Sequence, residues 1–319
     1  MIRKSIKGLI ILIVICTNFV PLLNNTNASQ EVKIVYKINN SIITSTDINN
    51  EVNYLMALNE DLDKLKNKEI LEIAKDSLIR ENIKKNEITK YIDIENYDNN
   101  DLVNNIVENI YTRLGLENFL DFESYLKKFD LYPNEVKEKL KIEIMWNQLI
   151  AEKFRNQLNI DENGIRKKVQ KERINYKNLI EYDLSEIVFS VKNNQEFISK
   201  TNEIKNIIDN ISFETAANKF SISDTANFGG NIGKINENQL SKLMKAELNK
   251  INVNEYTNPI NIGNQLIIIK INEKKVIDLK LDENEVVNKM IEIDKKRQYE
   301  NFSLIYYNKI KLNSQIDEL

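Results

Sequence analysis

The chain has 319 residues, with 45 basic and 48 acidic side chains, and it contains no histidine and one cysteine. The absence of histidine excludes Ser-His-Asp and Cys-His nucleophile systems, His-ligated zinc and imidazole acid–base pairs. Because Cys16 is the single cysteine, an internal disulfide and a thiolate metal cluster are also excluded. We expect no cofactor, and the length is typical of about two domains.

The N-terminus has the pattern of an export signal. Three basic residues precede an unbroken apolar run at 9–16, and small residues follow at Thr26 and Ala28. The apolar run is shorter than the ~20 residues that a membrane-spanning helix needs. These features predict a cleaved signal peptide over residues 1–28.

Two alternatives to cleavage after Ala28 remain at this stage. An uncleaved apolar segment would tether the protein to the membrane, whereas a lipoprotein is disfavoured because Val14 and Ile15 precede Cys16 where small residues are needed. Cleavage would remove three basic residues and change the net charge from −3 to −6. We expect no stable membrane insertion after cleavage, because no second apolar stretch approaches spanning length.

We also expect no nucleic-acid binding, because no cluster of basic residues stands out.

The first part of the remaining chain is predicted to be helical after a short β-hairpin. Residues 32–44 alternate in polarity and turn at Asn39, which predicts the hairpin. Polar residues at 45–47 are typical of a helix N-cap. From about 66 to 158, apolar residues recur at three- and four-residue steps, including the aromatic residues, which we interpret as helix packing. A polar helix and linker are expected at 161–178.

The spacing of apolar residues changes after this linker, and the new pattern predicts an α+β domain of about 95 residues. A long helix then returns at 283–309. The elements predicted for the α+β domain are a strand at 184–191, helices at 195–211, 213–220 and 237–251, and two strands at 259–262 and 266–271.

A glycine cluster marks this α+β segment. Gly229, Gly230 and Gly233 are three of the seven glycines in the chain. A dinucleotide or phosphate-binding loop is excluded because the spacing is wrong and no Lys-Ser/Thr pair follows. The cluster instead indicates a backbone that needs positive φ angles or close approach.

The segment resembles the parvulin, or rotamase, domain of peptidyl-prolyl isomerases. That family has a strand with Ser-His-Ile-Leu, an aromatic-Ser pair, Gly-Gly-Asp-Leu-Gly, a turn ending in proline and a strand with Gly-Tyr-His-Ile-Ile. The corresponding segments here are Ser185-Glu186-Ile187-Val188, Phe220-Ser221, Gly229-Gly230-Asn231-Ile232-Gly233, Asn254-Glu255-Tyr256-Thr257-Asn258-Pro259 and Gln265-Leu266-Ile267-Ile268-Ile269.

The resemblance implies a site that has lost its histidines. By position, the two histidines of the family fall on Glu186 and Ile267, and its Cys-or-Asp position falls on Ser223, beside Asp224. These are the candidate catalytic positions, and we expect them to be degenerate. Ile267 has no polar group, and an unpaired buried Glu186 anion would be unfavourable.

The resemblance also implies that the proline-binding pocket is retained. Three pocket positions of the family fall on Ile232, Leu240 and Met244, and all three are apolar. We therefore expect substrate binding at these residues, with isomerase activity that is weak or absent.

The whole chain resembles the SurA-like family of periplasmic chaperones. Residues 35–51 resemble the opening of that family, in which a hairpin leads into a helix. The resemblance implies an α+β protein with one parvulin-like domain between a helical chaperone region and a C-terminal helix. The predicted domains are a signal peptide (1–28), a helical N-terminal chaperone domain (29–178), a parvulin-like domain (179–275) and a C-terminal helix packing on the N-terminal domain (276–319).

Two functions from different classes follow from these resemblances. The first is a periplasmic chaperone that binds unfolded outer-membrane or other exported polypeptides. The alternative is an active peptidyl-prolyl cis-trans isomerase that acts on exported proteins, and a tethered foldase is the third possibility. The missing histidines favour the chaperone.

Overall fold

The structure is a computed structural model that describes residues 32–94, 97, 99–172, 179–277 and 283–319. The predicted signal peptide lies outside the described residues. The helices are α1 (Ser45–Leu58), α2 (Asn67–Ile88), α3 (Asn100–Arg113), α4 (Phe119–Leu126), α5 (Pro133–Phe154), α6 (Glu162–Glu172), α7 (Asn194–Asn210), α8 (Phe213–Phe220), α9 (Lys242–Leu248) and α10 (Glu283–Leu312). The strands are β1 (Ile34–Ile38), β2 (Ser41–Thr44), β3 (Leu179–Phe189), β4 (Asn231–Asn236), β5 (Ile260–Ile262), β6 (Gln265–Ile277) and β7 (Ile316–Glu318).

These elements form a helical region, comprising α1 to α6 and α10, and a sheet domain at residues 179–277. The sheet domain is inserted between α6 and α10, so the predicted α+β fold with a domain between helical parts is confirmed. Among the described residues, the helices lack the combined length and apolarity that would be needed to cross a bilayer.

The predicted N-terminal hairpin is confirmed. β1 pairs antiparallel with β2 across a turn at Asn39, whose φ of 51° is a left-handed value that asparagine tolerates. The cap of α1 lies one residue before the predicted cluster, at Thr44. The Thr44 hydroxyl accepts from the Asp47 amide at 3.2 Å, and the Asp47 carboxylate accepts from the Thr44 amide at 2.7 Å. This reciprocal pairing is a capping box, which satisfies two amide groups at the helix start.

The opposite end of the chain completes the hairpin sheet. β7 pairs with β1, which gives a three-stranded sheet in the order β2-β1-β7. The sequence pattern did not predict β7, because a three-residue strand has no measurable periodicity and its pairing depends on a partner at the other end of the chain.

Aromatic side chains join the C-terminal helix α10 to α5. Trp146 is fully buried and stacks on Tyr306 with 5.9 Å between ring centroids, and Phe154 stacks on Phe302 at 4.9 Å. Such pairs contribute about 0.5–1.5 kcal/mol each beyond the burial of their surface. The indole N–H of Trp146 donates to the Ser303 hydroxyl at 2.8 Å. The aromatic residue at position 146 is therefore a packing residue, as predicted.

The sheet domain contains an antiparallel four-stranded sheet in the order β4-β3-β6-β5. Side chains alternate between the two faces of a strand. Ile187 and Phe189 of β3 pack on the side of α7 and α8, whereas Leu184 and Val188 belong to a second cluster that includes Leu248 of α9. The sheet thus separates two apolar layers, and the candidate site lies on the α9 side.

Two predictions within the sheet domain were wrong. The helix expected at 237–251 is confined to α9, and a short turn of 3₁₀ helix precedes it. Ser241 starts α9 because its hydroxyl accepts from the Met244 amide at 3.1 Å, which makes it an N-cap within the predicted helix. β4 was missed because its asparagines and glycine have low strand propensity, and its pairing with β3 overrides that preference.

Candidate functional site

The three predicted pocket residues come together on the α9 face of the sheet. Leu240 is 8% exposed, and Ile232 and Met244 are partly buried against the same apolar cluster. Ile267 of β6 belongs to this cluster, is 4% exposed and pairs with Val188 of β3. A residue that corresponds by position to a polar member of the resembled family is therefore part of the same apolar cluster as the candidate pocket residues.

Glu186 lies on the same face of β3, between Leu184 and Val188. Its carboxylate accepts hydrogen bonds from the Ser223 hydroxyl at 2.7 Å and the Thr225 hydroxyl at 3.1 Å. Burial raises the pKa of Glu186 above its ordinary value, and these two hydrogen bonds act in the opposite direction because they favour the charged form. Glu186 is thus a partnered carboxyl beside an apolar pocket.

Thr225 was not among the residues predicted for the site. Its hydroxyl also lies 3.1 Å from the Ser223 hydroxyl and shares its single proton between that oxygen and Glu186, so Glu186, Ser223 and Thr225 form a compact triangle of polar groups. The Ser-x-Thr spacing is the sequence signal that could have identified Thr225, but hydroxyl residues at this spacing are common in loops. The triangle has no strong nucleophile, and its chemical capacity is to hold the loop against β3.

The glycine cluster explains how the loop approaches β3 so closely. Gly230 has a φ of 76°, and its carbonyl accepts from the Glu186 amide at 2.8 Å. A Cβ atom at Gly230 would clash with the carbonyl oxygen of Glu186 and lie 3.1 Å from the Cβ of Ala217. The cluster was predicted to need a positive φ or close backbone approach, and Gly230 has both.

Asp224 binds partners in the helical region, whereas its neighbours Ser223 and Thr225 bind Glu186. The Asp224 carboxylate accepts from the Lys84 ammonium at 2.8 Å and from the Ser303 hydroxyl at 3.1 Å. Lys84 lies on α2 and Ser303 on α10, so this acid joins the sheet domain to the helical region. Although burial raises the pKa of Asp224, the ammonium of Lys84 holds it below the ordinary value.

Lys84 is the centre of this contact, and its side chain is 1% exposed. The same ammonium donates to Glu143 of α5 at 2.6 Å. Burial and the charge of Asp224 raise the pKa of Glu143, because one ammonium serves two carboxylates. Sequence reasoning missed Lys84, Glu143 and Ser303, because lysines and glutamates are abundant in predicted helices and nothing local marks these as buried.

Further contacts from the helical region hold the same loop, residues 221–230. The guanidinium of Arg80 donates to the Ser223 carbonyl at 3.0 Å, and the Asn227 amide donates to the Ser77 hydroxyl at 2.9 Å. Arg113 donates to the Phe228 carbonyl at 3.3 Å. The loop is therefore bound on one side by β3 and on the other by α2 and α3.

The sequence of the sheet domain matches a known family. Residues 180–273 match the family model of the PPIC-type PPIASE domain, called rotamase. This segment is a rotamase domain. The predicted parvulin resemblance is confirmed over these residues, and residues 179–277 are called the rotamase domain from here on.

Solved structures similar to the chain include one isolated domain and two longer proteins. A PpiC-type peptidyl-prolyl cis-trans isomerase domain is 22% identical with a TM-score of 0.28, covering 30% of this chain and 93% of its own. The peptidylprolyl isomerase PrsA from Bacillus anthracis is 20% identical with a TM-score of 0.30, covering 76% and 98%. A structure described with the SurA-like chaperones PEB4 and Cj1289 of Campylobacter jejuni is 16% identical with a TM-score of 0.33, covering 90% and 98%. No curated protein sequence matches the chain significantly.

Proposed function

We propose that this chain is an exported chaperone whose rotamase domain binds proline-containing segments and catalyses their isomerisation weakly or not at all. The observation that carries this proposal is the contrast within the candidate site. The apolar residues Ile232, Leu240 and Met244 belong to one apolar cluster, whereas the two histidine positions of the family hold Glu186 and Ile267.

The chemistry of isomerisation explains why binding can survive without fast catalysis. Rotation about an amide bond faces a barrier of about 18–20 kcal/mol, and an enzyme lowers it by binding the twisted amide more tightly than the planar one. An apolar pocket would contact the proline ring whether the amide is planar or twisted. Such contacts increase the affinity for the peptide without lowering the barrier to isomerisation. Ile267 has no hydrogen-bonding side chain, and the Glu186 carboxylate is occupied by Ser223 and Thr225.

An active isomerase is the second candidate, and a specific feature favours it. Glu186 retains a polar network beside the pocket, so the network of this rotamase domain is replaced rather than deleted. Rotation needs no covalent intermediate, and a network that only shapes the pocket would be sufficient for some rate enhancement.

The clients we propose are unfolded exported polypeptides in the periplasm, outer-membrane proteins among them. The predicted signal peptide at 1–28 supports export. The mass of the protein purified from the native envelope tests this point, and we expect a chain that starts at Ser29. A mass that retains the apolar run at 9–16 would support the tethered alternative instead.

Two assays on the same preparations separate the chaperone from the isomerase. The first measures suppression of aggregation of an unfolded β-barrel protein, and the second measures isomerisation of a short X–Pro peptide in a protease-coupled assay. We expect clear suppression of aggregation and a rate close to the uncatalysed one. Failure to suppress aggregation would contradict the chaperone, and a fast pocket-dependent rate would establish the isomerase.

Pocket dependence is tested with a matched pair of variants on α9. Met244→Ala removes a side chain from the pocket cluster, and Leu243→Ala removes a neighbouring side chain that is 50% exposed. We expect Met244→Ala to weaken binding of a fluorescent proline peptide about 5- to 30-fold, because roughly 1–2 kcal/mol of apolar contact is lost. Leu243→Ala should change affinity less than about twofold. Equal effects of the two variants would place peptide binding outside the pocket.

A further inference from the structure

The loop that partners Glu186 is held from outside the rotamase domain. Ser223 and Thr225 donate to Glu186, and Asp224 between them is bound by Lys84 of α2 and Ser303 of α10. Three consecutive residues therefore connect the carboxyl beside the pocket with two helices of the helical region. The rotamase domain supplies only one side of this arrangement.

Because the Lys84 ammonium is buried, its contact with Asp224 is sensitive to the loss of either partner. The Lys84 side chain is 1% exposed, and its ammonium lies 2.8 Å from Asp224 and 2.6 Å from Glu143. The Asp224 side chain is 40% exposed, so without its cation this carboxylate is free to turn towards water. Movement of Asp224 would displace Ser223 and Thr225, because they are its chain neighbours.

We propose that Lys84 is a positioning residue for the proline-peptide site, acting through Asp224 on the loop that holds Glu186. The site is then shared between the rotamase domain and the helical region, and α2 and α10 complete it. This inference rests on the proposed function of the apolar pocket as a peptide-binding site. It adds that affinity at the pocket depends on residues of the helical region that do not touch the peptide.

A second ion pair between the same two parts of the molecule provides a matched control. Lys219 of α8 pairs with Glu69 of α2, and their side chains are 25% and 32% exposed. This pair joins the rotamase domain to the helical region without involving the loop at 221–230. Lys219→Met therefore removes an interdomain cation and leaves the contacts of Asp224 in place.

The test measures peptide affinity and amide hydrogen exchange of residues 223–230 in the full chain. The variants are Lys84→Met, Asp224→Asn, the double variant Lys84→Met/Asp224→Asn and the control Lys219→Met. We expect Lys84→Met to weaken binding of the proline peptide by at least about fivefold and to accelerate exchange in the loop. Lys219→Met should change affinity less than about twofold.

The double variant distinguishes positioning from general damage. Lys84→Met leaves Asp224 and Glu143 without their cation, and Asp224→Asn removes the uncompensated charge on the loop while it keeps the size of the side chain. We expect the double variant to recover affinity and exchange protection relative to Lys84→Met. A double variant no better than Lys84→Met, or a Lys84→Met protein with unchanged affinity and exchange, would overturn the inference.

Failure of the proposed function gives a different result. In that case the unmodified chain does not bind the proline peptide at all, and Met244→Ala has nothing to weaken. Loop exchange in Lys84→Met, with recovery in the double variant, then decides whether Lys84 positions the loop. Unchanged exchange would reject the inference, whether or not a peptide binds.

Discussion

The pocket and the loop of the candidate site are built in different ways. Ile232, Leu240, Met244 and Ile267 all belong to the rotamase domain, and apolar packing within that domain holds them together. The loop at 221–230 is held by hydrogen bonds and ion pairs, several of which come from the helical region. An apolar cluster of this kind tolerates apolar substitutions that conserve volume, whereas the loop depends on charge and on hydrogen-bond direction.

This difference predicts where the molecule is fragile. An apolar cluster loses stability in proportion to the surface or volume removed. A buried polar contact fails abruptly, because removing one partner leaves the other without compensation. The three predictions that follow compare the two kinds of structure, from the largest expected effect to the smallest.

Lys84→Met should have the largest effect on stability. It removes a buried ammonium that donates to Asp224 and Glu143, whose side chains are 40% and 27% exposed, and two charge-assisted hydrogen bonds of about 1.5–3 kcal/mol each are lost. Urea unfolding at neutral pH measures the change in the free energy of unfolding. The pair whose cation is more exposed is the control, and Lys219→Met should cost about 1 kcal/mol or less. Similar losses for both variants would remove the distinction between the loop contact and an ordinary interdomain ion pair.

Gly230→Ala should destabilise the rotamase domain by about 3 kcal/mol, because two unfavourable effects combine. The added methyl group would clash with the carbonyl of Glu186, and the φ of 76° adds strain for a residue with a Cβ. Gly233→Ala is the control, since its φ is 77° and its Cβ would meet no described atom within 4 Å. That variant should lose only about 1–2 kcal/mol, from the backbone alone. Equal losses in thermal or urea unfolding would show that close approach to β3 is unimportant.

Glu186→Gln should have the smallest effect, and it should depend on pH. Burial raises the pKa of Glu186 above its ordinary value of 4.5, so the folded protein keeps this proton to a higher pH than the unfolded chain does. The contribution of Glu186 to stability therefore falls as pH rises above 4.5 through the folded pKa. Glu186→Gln removes this dependence, and the variant should gain relative to the unmodified protein across that window.

Urea unfolding at several pH values from about 4 to about 8 measures the gain of Glu186→Gln, whose slope is limited to about 1.4 kcal/mol per pH unit for one proton. Glu203→Gln on the exposed face of α7 is the control and should follow the unmodified protein. A stability difference that does not vary with pH would mean that Glu186 has the same proton affinity in both states.

Much of the architecture could be predicted because its signals are local. The hairpin at β1 and β2, the cap region of α1 and the helix at α10 follow from polarity and capping patterns within a few residues. The rotamase segment could be predicted because its motifs keep their order and spacing, and the glycine cluster has a backbone reason at Gly230. The pocket residues followed from that resemblance, and the structure places them in one cluster.

The errors came from contacts with distant partners. β4 has a poor strand composition and exists because β3 pairs with it, and β7 exists because β1 does. The prediction grouped Asp224 with Ser223, but the Asp224 side chain turns to Lys84, which is 140 residues away in the chain. No local pattern distinguishes Lys84 from the other lysines of a helical sequence.

The sequence by itself therefore determined the absence of histidine chemistry, the rotamase segment and the apolar character of the pocket. These features are properties of residue type and short-range spacing, which a chain carries whether or not it is folded. Only the tertiary structure decided that Glu186 is partnered by Ser223 and Thr225, and that Lys84 and Ser303 hold Asp224 from the helical region. The physical reason is that folding buries the Lys84 ammonium, and a cation removed from water interacts more strongly with the carboxylates that folding brings within hydrogen-bonding distance.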